Sequence, residues 1–168
     1  MKDNKPKQEL RSIPLTRAQF RALLKAVYLG NWMANANRDG SRRDPRVEEY
    51  DEIEEYVLSF AKQFGFDEYV DDDEVIHGRK FFPTRQFEDM THVEGMIDEY
   101  NNENFWDELI DRLGERDFHR RYSEKEIKAM SREERWEKLD ACTNAWADEV
   151  EANGLENLWV LKGENKKK

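Results

Sequence analysis

Cysteine is almost missing from this chain. Cys142 stands alone, which excludes an intramolecular disulfide and any zinc site built on paired thiolates. A solitary thiol fits a reducing compartment, and the cytoplasm is the expected location. Long apolar runs are missing too. None outlasts Ala26–Leu29, far short of the roughly 20 residues that a membrane span requires. The polar start at Lys2–Gln8 has no signal-peptide core, so no membrane association is expected. Catalytic signatures are equally scarce. There is no His-Glu-x-x-His, no Gly-x-Ser-x-Gly and no glycine loop of the kind that cradles phosphate. No motif identifies a reaction, so no catalytic residue, metal ligand or cofactor is assigned, and the chain is not expected to be an enzyme.

What is present is charge and aromatic mass. Charged residues make up 39% and hydrophobic residues 38%, a balance that leans toward disorder. Against it stand 12% aromatics, with five Trp and nine Phe, enough apolar payload to build a core around a few large anchors. The charges are sorted along the chain. Met1–Arg46 carries 11 Lys/Arg against 4 Asp/Glu, whereas Val47–Asp111 carries 4 against 21, and Arg112–Lys168 has 13 of each. A net charge of −10 therefore hides a dipolar pattern that must be satisfied internally, by a partner or by salt.

Helical periodicity dominates. Thr16-Arg-Ala-Gln reads as a capping box, and Phe20, Leu23, Leu24 and Val27 follow at helical spacing to about Asn37. Asp44-Pro45 reads as the cap and first turn of a second helix ending at Gly65, with Tyr50, Ile53, Val57, Phe60, Ala61 and Phe64 as its core stripe. Residues 66–84 lose the pattern and read as a loop, with a short extended piece at 75–77 or 80–82. Phe87, Met90, Val93, Ile97 and Tyr100 resume it behind Thr84, and the polar run Asn101–Asn104 is expected to interrupt it before a helix from Phe105 toward Arg121. Ser123-Glu-Lys-Glu and Ser131-Arg-Glu-Glu open a short and a long helix. The latter buries Trp136, Leu139, Thr143, Trp146, Ala147 and Val150 and stops at Gly154. The expectation is an all-α bundle of about five or six helices, with a short extended segment or small hairpin. One domain over 14–161 would lie between a flexible basic segment, 1–13, and a basic tail, 162–168.

The sharpest oddity lies in the first helix, whose apolar stripe runs on into Asn31, Asn35 and Arg38. At least two of these are expected to be buried and joined to acidic or backbone partners, because buried polar groups must be paired. Arg38→Ala should then destabilise by more than the surface norm of about 0.5 kcal/mol. The acids Glu48, Asp51, Glu52 and Glu55 cluster on the other side of the second helix, toward solvent. Pairs such as Glu49/Glu52 and Glu108/Asp111 imitate magnesium-binding motifs, but 38 acids in 168 residues produce such spacings by chance. Asp89-x-x-His92 lacks the second copy that a di-iron bundle needs, and the run Asp71–Glu74 has Ile76 where an EF-hand needs glycine. Cys142 reads as packed rather than nucleophilic.

Tyr28-Leu-Gly-Asn-Trp-Met-Ala-Asn-Ala, with Phe105-Trp-Asp-Glu-Leu and Glu115-Arg-Asp, resembles a group of small acidic helical bacterial proteins. The resemblance implies no activity and no site residue. The functional expectation is a protein-interaction or regulatory module that binds a protein partner through an acidic, aromatic-bearing surface. Asn31, Trp32, Asn35, Arg38, Glu48, Asp51, Glu52 and Glu55 are the candidate partner- or ligand-binding residues. Two alternatives use the same acids: a nucleic-acid mimic that occupies a basic protein site, and a small metal-dependent hydrolase. Direct nucleic-acid binding is not expected, since the acidic block repels phosphate.

Overall fold

The computed structural model describes residues 11–76 and 78–159. Most of the two expected basic terminal segments, together with His77, Val160 and Leu161, lies outside the described residues, and Arg11, Ser12 and Ile13 are exposed. The described chain is all-α but for one small sheet. Its helices are α1 Arg17–Asn35, α2 Glu48–Leu58, α3 Arg85–Thr91, α4 Val93–Arg121, α5 Glu124–Ala129 and α6 Arg132–Asn153. Strands β1 Val70–Asp71 and β2 Phe82–Pro83 pair antiparallel, Val70 opposite Pro83. Two compact units divide the chain within α4, Met1–Ile97 and Asp98–Lys168.

In the first unit, the Thr16 hydroxyl accepts the Gln19 N–H and the Gln19 side chain accepts the Thr16 N–H, closing the box expected at the start of α1. Phe20 and Leu24 then enter a core completed by Val57, Leu58, Ala61, Phe66, Tyr69, Val70, Phe87 and Val93. Burying each large side chain contributes about 1.5–3 kcal/mol. Aromatic rings give this core its geometry. Phe20 stacks on Phe64 with centroids 4.0 Å apart, Phe66 stacks on Tyr69 at 5.0 Å, and Tyr69 and Tyr28 both meet Phe87 edge-on. Arg17 lies 4.2 Å over the Phe66 ring and donates to the carbonyls of Phe64 and Gly65. Tyr28 and Arg21 tie α1 to α3, through Glu88 at 2.8 Å and the Met90 carbonyl at 2.6 Å.

The second helix differs from its sequence reading at both ends and in its register. Asp44 does not cap it. Its carboxylate closes the preceding loop, accepting from Arg38 and from the Asp39 N–H, and α2 starts at Glu48 behind Val47. The helix stops at Leu58, because the Ser59 hydroxyl donates back to the Tyr56 carbonyl and the chain tightens into a 3-10 turn, Ala61–Phe64. Gly65, at φ 71°, ends that turn in the left-handed region. The buried face carries Glu54, Val57 and Leu58, while Tyr50 and Ile53, assigned to the core stripe, are exposed.

The break expected at Asn101–Asn104 falls elsewhere. His92 adopts φ 56° between α3 and α4, and α4 runs unbroken through the exposed polar residues. Asn and Glu lower helix propensity by only a few tenths of a kcal/mol each, too little to end a helix without glycine or proline.

In the second unit, Ser123 and Glu126 form a capping box and Ser131 caps α6, both as expected. Phe118 and Cys142 are its buried anchors. Trp136, expected in the buried stripe, is 66% exposed, since it lies about 120° around α6 from Cys142. Trp146 instead donates to Asp117 at 2.9 Å. Where α4 meets α6, a Cβ built on Gly114 would stand 2.9 Å from the Thr143 Cα, whereas one on Gly95 would meet nothing within 4 Å. Replacing a helical glycine by alanine should therefore have opposite signs at the two positions. Gly114→Ala should destabilise by about 1–3 kcal/mol through overpacking. Gly95→Ala should be neutral or stabilise by up to about 1 kcal/mol. Thermal unfolding together with the rate of Cys142 thiol labelling would check this, and a Gly114→Ala protein as stable as wild type would refute the close approach.

Candidate functional site

The C-terminal half of α1 and the inner face of α2 enclose a polar network. The Asn31 amide donates to Glu54 at 2.6 Å and to Asp51 at 3.1 Å, and its oxygen accepts from Asn35 at 2.7 Å. The Asn35 oxygen in turn accepts the Val47 N–H at 2.8 Å, so a residue of α1 fixes the start of α2. Asn31, Asn35 and Glu54 are buried, Glu54 with 5% exposure. A carboxylate so placed needs a cation, and a loop supplies it. Ile76 and Arg79 exchange both backbone hydrogen bonds around Gly78, at φ 84°, and Lys80 N–H donates to Glu55 at 2.7 Å. This turn holds the Arg79 guanidinium 2.9 Å from Glu54 and 3.1 Å from Asp51. Arg46 grips Asp51 with two parallel bonds of 2.7 and 2.8 Å.

The two carboxyls respond in opposite directions. Burial pushes Glu54 above its ordinary 4.5, against the pull of Arg79 and Asn31. The bond from Arg46 holds Asp51 below its ordinary 3.8 despite partial burial.

Beside the network opens a cleft of about 510 Å³. Trp32, Arg38, Arg46, Glu54, Arg79 and Phe82 are among the residues that line it. The structure thus brings together Asn31, Trp32, Asn35 and Arg38, and it adds Asp51 through the network. Arg38 is not buried as its helical position suggested. It emerges from the core, donating to the Ala34 and Pro45 carbonyls and to Asp44. The row Glu48, Asp51, Glu52, Glu55 does not form one solvent face. Asp51 and Glu55 turn toward the Arg79 loop and are half-buried, leaving Glu48 and Glu52 exposed. Tyr56 on that outer side and Ile53 at its edge are exposed by 62% and 45%, whereas Tyr50 lies on the α1 side, its ring 4.0 Å from where a Gly30 Cβ would stand.

Glu54 and Arg79 went unrecognised in the sequence. Glu54 could have been found, since 54, 57, 58 and 61 make a better helical stripe than the one drawn through Tyr50 and Ile53. Arg79 sits in a loop without periodicity and left no signal. Among the described residues, no three His, Cys, Asp or Glu side chains converge as metal ligands. Asp51 and Glu54, which share the Asn31 and Arg79 donors, are occupied by arginine and asparagine. No protein-family model, curated protein or solved structure matches the chain.

The network predicts where stability resides. Asn31→Ala and Asn35→Ala should each destabilise by about 1–3 kcal/mol, because each leaves buried groups unpaired. Arg38→Ala should stay within the surface range of about 0.5 kcal/mol. Urea unfolding would rank the three, and equal small effects would refute the assignment. The pH dependence has a definite sign. The folded chain holds the Glu54 proton more tightly than the unfolded chain, so the linked stabilisation is complete below 4.5 and is lost as pH rises through the raised folded value. Asp51 acts oppositely, contributing fully above 3.8 and losing its contribution as pH falls through its depressed value. From pH 4.5 upward, wild type should therefore lose stability with pH faster than Glu54→Gln, and parallel profiles would remove Glu54 from the account.

Proposed function

We propose that the chain is a protein-interaction module whose first unit offers the outer face of α2 to a partner bearing basic and apolar groups. One observation carries this reading. Ile53 and Tyr56 are exposed on the helix that also exposes Glu48, Glu49 and Glu52. Aromatic side chains of this kind supply interface energy, and the surrounding carboxylates select a basic partner and speed the encounter. No helix among the described residues is long and apolar enough to cross a membrane, and the proposed setting is the cytoplasm, in keeping with the single cysteine.

Nucleic-acid mimicry draws less support. It needs contiguous free acids, yet Asp51 is held by Arg46 and Arg79, Glu55 accepts a backbone N–H, and Asp72 is paired with Lys62 at 2.8 Å. The hydrolase reading finds no group of three or more metal-ligating side chains among the described residues, and Asp51 and Glu54 are taken up by Asn31 and arginine donors.

Immobilised chain should retain one stoichiometric partner from its source cell, identified by mass spectrometry. Ile53→Ser with Tyr56→Ser should weaken binding of that purified partner by about tenfold or more, as loss of central anchors does. Raising the salt should weaken it further through screening. Unchanged affinity in the double variant would overturn the reading. A partner that is displaced by DNA or RNA and indifferent to Tyr56→Ser would favour mimicry instead.

A further inference from the structure

We propose that the cleft between α1, α2 and β2 binds an oxyanion carried on a flat aromatic body, with Arg38, Arg46 and Arg79 as its cationic contacts and Trp32 and Phe82 as its walls. Charge supports this first. Three guanidiniums line the cleft, whereas of the carboxylates that pair with them only Glu54 is on the lining, and Asp44 and Asp51 are not. Unmet donors come second. Arg79 Nε is buried without an acceptor and is shut off from the cleft, so the donors open to a ligand are those nearer solvent. Nearer solvent, Arg46 bonds through Nε and Nη2, and Arg38 through Nε and Nη1. Each therefore has a terminal nitrogen with no hydrogen bond among the described residues.

The arginines are also fixed in advance. Asp51 bonds both Arg46 and Arg79, and the Ala34 carbonyl holds Arg38, so little side-chain freedom remains to be lost on binding. Planar guanidinium forks match carboxylate and phosphate oxygens. The volume of about 510 Å³ falls inside the usual range for small-ligand clefts, roughly 300–1,000 Å³. An indole and a phenyl ring on the lining suit a planar body. This site is independent of the proposed partner face, since Glu54 and Tyr56 lie about 200° apart around α2.

Amide NMR of the full chain, titrated with phenyl phosphate, benzoate, benzamide and inorganic phosphate, would test it. Phenyl phosphate or benzoate should shift amides within residues 31–38 and 79–83, and the tighter of the two identifies the oxyanion as phosphate or carboxylate. Benzamide, flat but uncharged, should bind at least about tenfold more weakly, and Arg38→Gln should weaken the charged ligand by about the same factor. Arg38→Gln is the decisive variant because Arg38 lies outside the buried network. Equal binding of benzamide, inorganic phosphate as tight as phenyl phosphate, an unchanged affinity in Arg38→Gln, or shifts confined to other residues would each overturn the proposal.

Discussion

A single buried carboxylate organises the first unit. Glu54 sits at 5% exposure between two helices, and an ionised carboxylate cannot stay there without donors. Asn31 supplies one from α1 and Arg79 supplies another from a loop 25 residues away in sequence. Each requirement propagates. Asn31 is oriented by Asn35, Asn35 accepts the N–H of Val47 just ahead of α2, and Arg79 is aimed by its own turn and by the bond from Lys80 to Glu55. The polar end of α1, the start of α2 and the path of the 76–80 loop are thus three consequences of one charge. Replacing the whole Glu54–Asn31–Arg79 network by hydrophobic residues of similar volume would be neutral or stabilising, as replacements of complete buried ion pairs often are. It would not specify where the loop returns.

The same charge decides which residues are left outside. Rotating Glu54 inward turns Tyr56 to the opposite side of α2 and leaves Ile53 at the edge, about 100° away, although its spacing alone would suit a core. It also divides the acidic row, drawing Asp51 and Glu55 toward the loop while Glu48 and Glu52 remain in solvent. The aromatic face and the acids beside it therefore follow from how the interior polar network is satisfied.

Legibility in the sequence tracked how local each determinant is. Thr16, Thr84, Ser123 and Ser131 cap the helices that their motifs announced, since a cap needs only its own next three residues. The burial of Asn31 and Asn35 was visible because they continue an apolar stripe. The register of α2 was misread because apolar residues were weighted and Glu54 was not, and only Arg79, far away in sequence, makes Glu54 tolerable inside. Asp44 misled in a similar way. Its side chain is a good cap in isolation, but Arg38 and the Asp39 N–H compete for it and win. Trp136 was assigned inward on periodicity alone, whereas the close approach of α4 and α6 is set by Gly114 opposite Thr143. No motif announces a contact of that kind.

The sorted charges are resolved partly within blocks and partly across the boundary at Arg46. Arg38 and Arg46, from the basic start of the chain, meet Asp44 and Asp51, whereas Arg79 and Lys62, two of the few cations in the acidic middle, are paired inside that block with Glu54 and Asp72. These pairings take up Asp44, Asp51, Glu54 and Asp72 and leave Glu48, Glu49 and Glu52 exposed on α2. Interior pairs are shielded from salt, but exposed charges are screened beyond about 8–10 Å at physiological ionic strength. The uncompensated acids of α2 therefore act at short range, on whatever lies against Ile53 and Tyr56. That couples the charge selectivity of the proposed face to its aromatic contact, so a basic surface without an apolar centre would meet the acids yet gain little from them.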